Sequence, residues 1–87
     1  MKTAALFDET EILLQVAAGN ERAFTILFRR YSSKVYSFAL KLTRSEELAE
    51  EVVQEVFIKI WLNREGLGEI QEFGAYLNRI NRNHSLT

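Results

Sequence analysis

The chain has 87 residues, 11 lysines and arginines, 12 aspartates and glutamates, and a formal net charge of −1 at pH 7. This length allows one small domain, and the lack of cysteine excludes disulfides and thiolate metal sites. With His84 as the single histidine, a histidine metal cluster or a Ser-His-Asp triad is disfavoured, and the total charge alone disfavours a nucleic-acid binder.

The first two predicted helices are separated by a glycine. Residues 9–18 predict a short helix with Asp8 or Thr10 as its N-cap, and Gly19 ends it because glycine tolerates the left-handed conformation. The second helix is predicted over about 21–42. Its apolar residues recur at steps of three and four and mark one helical face, made of Phe24, Leu27, Phe28, Tyr31, Val35, Phe38, Ala39 and Leu42.

Asn20 and Ser45 are the predicted N-caps of the second and third helices. The third helix, about 46–63, has a wide apolar stripe, which indicates more than one packing neighbour. Two glycines spaced two apart predict a long loop over 64–72, and a fourth helix follows over about 73–85. The pattern therefore predicts an all-α fold, a compact bundle of three to four helices.

The near-zero net charge is a sum of opposed blocks. Residues 22–44 contain six bases and no acid, residues 46–55 contain five acids and no base, and the formal charges after Tyr76 are Arg79 and Arg82. Separate faces could therefore meet separate partners. The alternative, which charge alone favours, is that bases and acids on neighbouring helices pair across the surface, where each pair contributes ~0–1 kcal/mol.

Three separated motifs resemble region 2 of bacterial sigma-70-family sigma factors, most closely the extracytoplasmic-function (ECF) type. They are AFTILFRRYSSKVYSFALKLT at 23–43, AEEVVQEVF at 49–57 and YLNRINRN at 76–83, and the resemblance covers about 10–87. It implies a single region 2-like domain over 1–87, with no catalysis and no cofactor or metal. Region 4, the helix-turn-helix domain of the family, is not seen in the sequence, so we expect a fragment or a short relative.

The second motif resembles the core-binding segment of the family, AED-x-x-Q-x-x-F. The resemblance implies that Glu50, Glu51, Gln54 and Phe57 dock on the clamp helices of the largest RNA polymerase subunit. Glu51 stands where the family more often has aspartate. The spacing puts the first three residues on one helical face. The alternatives are a solvated face for these three and core packing for Phe57, which could also be shared between core and partner.

The third motif and the loop before it resemble the part of region 2 that reads and melts the promoter −10 element on the non-template strand. Arginines contact phosphates, and an aromatic ring can stack on an unstacked base. The alternatives are a plain connecting loop, an inward-packed tyrosine and arginines that only solvate the surface. The candidate DNA contacts are Asn63, Arg64, Gln71, Tyr76, Arg79, Arg82 and Asn83.

The sequence thus predicts a fragment of a promoter-specificity factor that binds core RNA polymerase and the −10 element, and that is not an enzyme. Acidic residues replace the apolar run of a signal peptide, and no stretch reaches the ~18 apolar residues of a membrane span, so a cytoplasmic location is predicted. An anti-sigma factor is a further partner that the resemblance implies. The alternative is a helical protein-interaction bundle without DNA binding.

Overall fold

A computed structural model describes the backbone of residues 8–86 and the side chains of residues 8–80. In this part of the chain there are four α-helices, one 3-10 helix and no strand, which confirms the all-α prediction. The helices are α1 (Glu9–Ala17), α2 (Glu21–Thr43), α3 (Glu46–Leu62), the 3-10 helix (Arg64–Glu69) and α4 (Phe73–Leu86). None of the described helices is long and apolar enough to cross a membrane.

The starts of the first three helices follow the predicted caps. The side chains of Asp8, Asn20 and Ser45 each accept a hydrogen bond from a backbone N–H of the first turn, at 3.2, 3.0 and 3.1 Å. Of the two candidates for the first cap, the structure therefore selects Asp8. Gly19 ends α1 with φ +92°, and Arg44 bridges α2 and α3 in the left-handed region at φ 58°. Since glycine adopts a positive φ at little cost, its position after α1 explains the sharp turn there.

The core lies between α2 and α3, with α4 packed on both of them and α1 packed on α2 and the 3-10 helix. Each of the five elements contributes at least one buried apolar side chain to it. The buried residues are Ile12, Leu13, Val16, Ala23, Leu27, Val35, Ala39, Ala49, Val52, Val53, Val56, Phe57, Ile60, Leu67, Phe73 and Leu77. The wide stripe of α3 does face two α-helices, as predicted, yet Ile58 and Leu62 at its edge are 57% and 72% exposed.

The segment 64–72 is not a plain loop, and this prediction was wrong over the six residues of the 3-10 helix. The α-helix already ends at Leu62, before the paired glycines, and the 3-10 helix that follows contains both of them and is held to the core by the fully buried Leu67. Gly68 lies so close to α1 that a Cβ added there would be 3.0 Å from Leu14 Cδ2. The first helix therefore supports this segment from behind.

Candidate functional site

The acidic face of α3 forms as the spacing predicted. Glu50, Glu51 and Gln54 are all exposed on this helix. Tyr36 of α2 lies beside the same face, and partial burial raises the pKa of its hydroxyl above 10, with Glu46 and Glu50 raising it further. Glu46 and Glu50 add to the effect of burial on this pKa because a carboxylate disfavours a second negative charge nearby.

A groove follows the seam between α2 and α3 beside the acidic face. Its first part is lined by Phe28, Ser32, Ser33, Tyr36, Glu50, Val53 and Gln54. Its second part is lined by Phe24, Phe28, Gln54, Phe57, Ile58 and Trp61. Phe28 and Gln54 line both parts, so the groove is continuous, polar at one end and almost wholly apolar at the other. We call it the α2–α3 groove.

The apolar end of the α2–α3 groove is built on stacked aromatic rings. Phe57 packs edge-to-face against Phe28 at 4.9 Å between ring centroids and against Phe24 at 6.2 Å, and Phe24 lies 5.0 Å from Trp61. Phe57 is only 3% exposed, so it is a core residue that forms the groove floor. Phe28, at 37% exposure, is the ring that reaches solvent. Sequence reasoning placed Phe28 in the core stripe, although the adjacent Leu27 already filled that position.

A second pocket lies where the end of α3, the 3-10 helix and α4 meet. Its lining residues are Leu62, Asn63, Glu65, Gly66, Ile70 and Tyr76. Two predicted DNA contacts, Asn63 and Tyr76, are therefore brought together. The Asn63 amide nitrogen donates to the Lys59 carbonyl at 3.0 Å, which leaves its amide oxygen to accept a bond from a ligand. The Tyr76 ring is half-buried, 5.9 Å from Phe73, and its remaining surface lines this pocket, which we call the base pocket after the base contact that the sequence predicts.

Arg64, a third predicted DNA contact, is engaged within the fold. Its guanidinium lies 4.4 Å from the centroid of the Trp61 ring, and its Nη1 donates to the Trp61 carbonyl at 2.9 Å. The residue is half-buried and does not line the base pocket. These contacts connect the start of the 3-10 helix to the last turn of α3, so Arg64 has a structural role.

The other predicted DNA contacts are distributed around the base pocket. Gln71 is exposed and does not line it, and Arg79 is exposed on α4. The side chains of Arg82 and Asn83 lie outside the described residues, although both belong to α4. Glu65, whose carboxylate lines the pocket, was not predicted from the sequence, because the segment 64–72 was predicted to be a loop.

The basic block of α2 has one member that pairs with the first helix. Arg30 Nη1 lies 3.6 Å from Glu9 Oε1, and the Tyr31 hydroxyl donates to the same carboxylate oxygen at 2.6 Å. Burial, the hydrogen bond to Glu9 and the charge of Glu9 raise the pKa of Tyr31 to about 12. This part of the basic block therefore fastens α1 to α2. No group of three or more histidine, aspartate or glutamate side chains within the described residues could hold a metal ion.

Residues 27–87 match the family described as Sigma-70 region 2, and the chain belongs to that family. It is 29% identical over 69 residues to the ECF RNA polymerase sigma factor SigW of Bacillus subtilis (strain 168), covering 79% of this chain and 37% of that protein. It is 29% identical over 56 residues to the ECF RNA polymerase sigma factor SigK of Mycobacterium tuberculosis (strain ATCC 25618 / H37Rv), covering 64% of this chain and 30% of that protein.

The chain spans about a third of the length of these curated relatives. No solved structure matches it. The predicted membership of the sigma-70 region 2 family is confirmed.

Proposed function

We propose that this chain is the region 2 domain of an ECF-type sigma factor, which binds core RNA polymerase and the promoter −10 element during transcription initiation. The observation that carries the proposal is the presence of two different surfaces on one helix. The α2–α3 groove and the acidic face accompany α3 along its length, and the base pocket lies at its C-terminal end. One small domain can thus hold a protein partner and a DNA strand at the same time.

The first surface suits a helix of the polymerase clamp. Glu50 and Glu51 offer carboxylates to arginines of the partner, and bidentate pairs of this kind give both energy and geometry. Gln54 stands at the middle of the α2–α3 groove, where its amide can donate and accept. The exposed Phe28 and Ile58 offer an apolar site for one partner side chain. Phe57 contributes by fixing the groove floor.

The second surface suits one unstacked base of the non-template strand. Extruding a base costs a few kcal/mol, and stacking on an aromatic ring returns about 1–3 kcal/mol. Tyr76 supplies the ring, and the Asn63 amide oxygen supplies an acceptor for a base edge. Glu65 repels a phosphate but accepts from an exocyclic amino group, so the pocket prefers the base over the backbone. An anti-sigma factor would inactivate the protein by covering either surface.

A protein-interaction bundle without DNA binding is the second candidate. The observation that favours it is the run of acids in the segment before α4, which contains Glu65, Glu69 and Glu72. Carboxylates at this density weaken binding to a phosphate backbone. This candidate predicts that the chain binds a partner helix yet shows no salt-dependent binding to single-stranded DNA.

Two variants test the two surfaces, and each is the control for the other. We expect the double substitution Glu51→Ala and Gln54→Ala to weaken binding to a clamp-helix fragment in a pull-down titration, with binding of single-stranded −10 DNA unchanged. We expect Tyr76→Leu, which keeps an apolar side chain against Phe73, to weaken DNA binding by about 5- to 150-fold from the loss of stacking, with clamp binding unchanged.

The outcomes separate the two candidates. Unchanged clamp affinity in the α3 variant would remove the polymerase part of the proposal. Fluorescence anisotropy that is flat, indifferent to sequence and independent of salt would remove the DNA part and leave the protein-interaction bundle. Far-UV circular dichroism shows for both variants that the helices are intact.

A further inference from the structure

The base pocket is richer in hydrogen-bond acceptors than in donors. The Asn63 amide oxygen is available to a ligand, and Glu65, two residues later, adds a carboxylate. Four lining residues already use their backbone N–H groups within the fold, in hydrogen bonds of 3.1 to 3.3 Å, and these are Asn63, Gly66, Ile70 and Tyr76. A base that binds in this pocket must therefore bring donors of its own.

The Glu65 carboxylate is not neutralised by the described part of the chain. Among residues 8–80, no basic side chain forms a salt bridge with it, and the residue is exposed. An ionised carboxylate only accepts hydrogen bonds, and its two oxygens can accept a parallel pair of N–H groups. Bonds to an ionised group are roughly twice as strong as bonds between neutral groups. Glu65 can therefore control which base is held.

The four bases differ in the donors on their Watson–Crick edge. Guanine presents two adjacent donors, N1–H and the N2 amino group, which match the two oxygens of a carboxylate. Adenine and cytosine each present one amino group beside an acceptor nitrogen, and thymine presents one N–H between two carbonyl oxygens, which a carboxylate repels. We propose that the base pocket selects guanine and that Glu65 is the residue that determines this specificity. The inference rests on the proposed function, because it names the base that the same pocket holds.

The size and apolar lining of the base pocket also suit a purine. Its volume is about 630 Å³, within the range of sites for small ligands. Leu62 and Ile70 lie beside the Tyr76 ring in the lining, and Leu62 is 72% exposed. A purine, with two rings, covers more of this apolar surface than a pyrimidine does, and covering apolar surface favours binding.

The test places one guest base in a host strand that the pocket disfavours. The probes are oligothymidylates of about ten nucleotides with one central guest, which is thymine, cytosine, adenine, guanine or hypoxanthine. Hypoxanthine is guanine without the N2 amino group. Glu65→Gln keeps the shape of the side chain and removes its charge. Glu69→Gln is the matched control, because Glu69 is exposed and belongs to the same 3-10 helix but does not line the pocket.

The results are compared as ratios of affinities between guests, because removal of either carboxylate strengthens binding of every strand. In the unchanged chain we expect guanine to raise affinity over thymine by about 5- to 150-fold, with the other guests between them. Glu65→Gln should reduce the ratio of guanine to hypoxanthine about fivefold, because a neutral acceptor replaces a charged one. Glu69→Gln should leave every ratio unchanged.

Three outcomes overturn the inference and leave the proposed DNA binding in place. They are equal affinity for all guests in a chain that binds single-stranded −10 DNA, a preference for a base other than guanine, and a guanine preference that Glu65→Gln leaves intact. An equal loss of preference in Glu69→Gln also overturns it, because the effect would then not belong to the pocket. If the unchanged chain binds neither these probes nor −10 DNA, the proposed DNA function fails as well, so the two failures are distinguishable.

Discussion

Arg64 is a DNA contact by the sequence prediction and a structural residue by its contacts in the fold. One substitution distinguishes the two roles. The guanidinium rests on Trp61 and donates to its carbonyl, so both of its visible contacts are internal. Arg64→Met keeps most of the length and removes the charge. If these contacts are what the arginine provides, the variant loses stability. If it binds a phosphate, the variant loses salt-dependent DNA affinity.

The size of the loss follows from the two contacts. A cation–π contact near the surface contributes about 0.5–1 kcal/mol. A hydrogen bond from a charged donor contributes about 1.5–3 kcal/mol, and we take the lower end because Arg64 is only half-buried. The sum is about 2 kcal/mol. In a domain of this length it lowers the melting temperature by about 8–16 °C.

The single tryptophan makes the measurement direct. Trp61 lies under the guanidinium, so its fluorescence reports both the contact and urea-induced unfolding. Arg79→Met is the matched control, since this arginine is exposed on α4. We expect Arg79→Met to change the free energy of unfolding by less than about 0.5 kcal/mol and to reduce the salt dependence of DNA binding by about 0.7. Arg64→Met is expected to lower the free energy of unfolding by about 2 kcal/mol and to leave the salt dependence of DNA binding unchanged.

A structural role for Arg64 and a phosphate contact for Arg79 are refuted if the two variants show the opposite results. An Arg64→Met chain that unfolds like the unchanged chain, but whose DNA binding loses about 0.7 of its salt slope, would make Arg64 a phosphate contact. A loss of stability with a loss of slope in both variants would show that the fold near the base pocket, not either side chain, controls DNA binding.

The remaining predictions concern α1. The stability that Tyr31 contributes is fully present below pH 10 and is lost as pH rises towards about 12, because the unfolded tyrosine ionises first. We therefore expect Tyr31→Phe to flatten the pH dependence of the free energy of unfolding in urea between pH 10 and about 12, and parallel profiles would contradict this. Gly68→Ala should cost less than about 1 kcal/mol, because overlap with the exposed Leu14 side chain is partly offset by backbone entropy, and adding Leu14→Ala should remove the cost in a double-mutant melting cycle. A cost that persists would exclude this contact as its cause.

Helix positions in this chain could be predicted because their signals are local. An N-cap side chain bonds within its own first turn, so Asn20 and Ser45 could be read correctly without knowledge of the fold. The 3-10 helix could not, because its cause is long-range. Leu67 is buried and the segment packs on α1, about fifty residues earlier in the chain, and no spacing rule within 64–72 contains that contact.

The candidate site also has features that follow from local spacing and features that depend on longer-range contacts. The shared face of Glu50, Glu51 and Gln54 follows from helical spacing and is observed. The role of Arg64 depends on the direction of its long side chain. That side chain packs on Trp61, which is three residues earlier and on the other side of the end of α3. Phe28 shows the same limit, because a stripe of apolar residues does not say which of two adjacent members is left at the surface.

The total charge of −1 conceals an uneven distribution of the charges over the fold. The acids of α3 border one groove, and Lys34 and Lys41 line another between α2 and α4, with neither lysine in a salt bridge in the described part of the chain. Electrostatic attraction of a strand depends on the potential where it binds and decays over about 10 Å at 0.1 M salt. A small domain can therefore be acidic towards a protein partner and basic towards DNA, provided that separate helix faces carry the two signs.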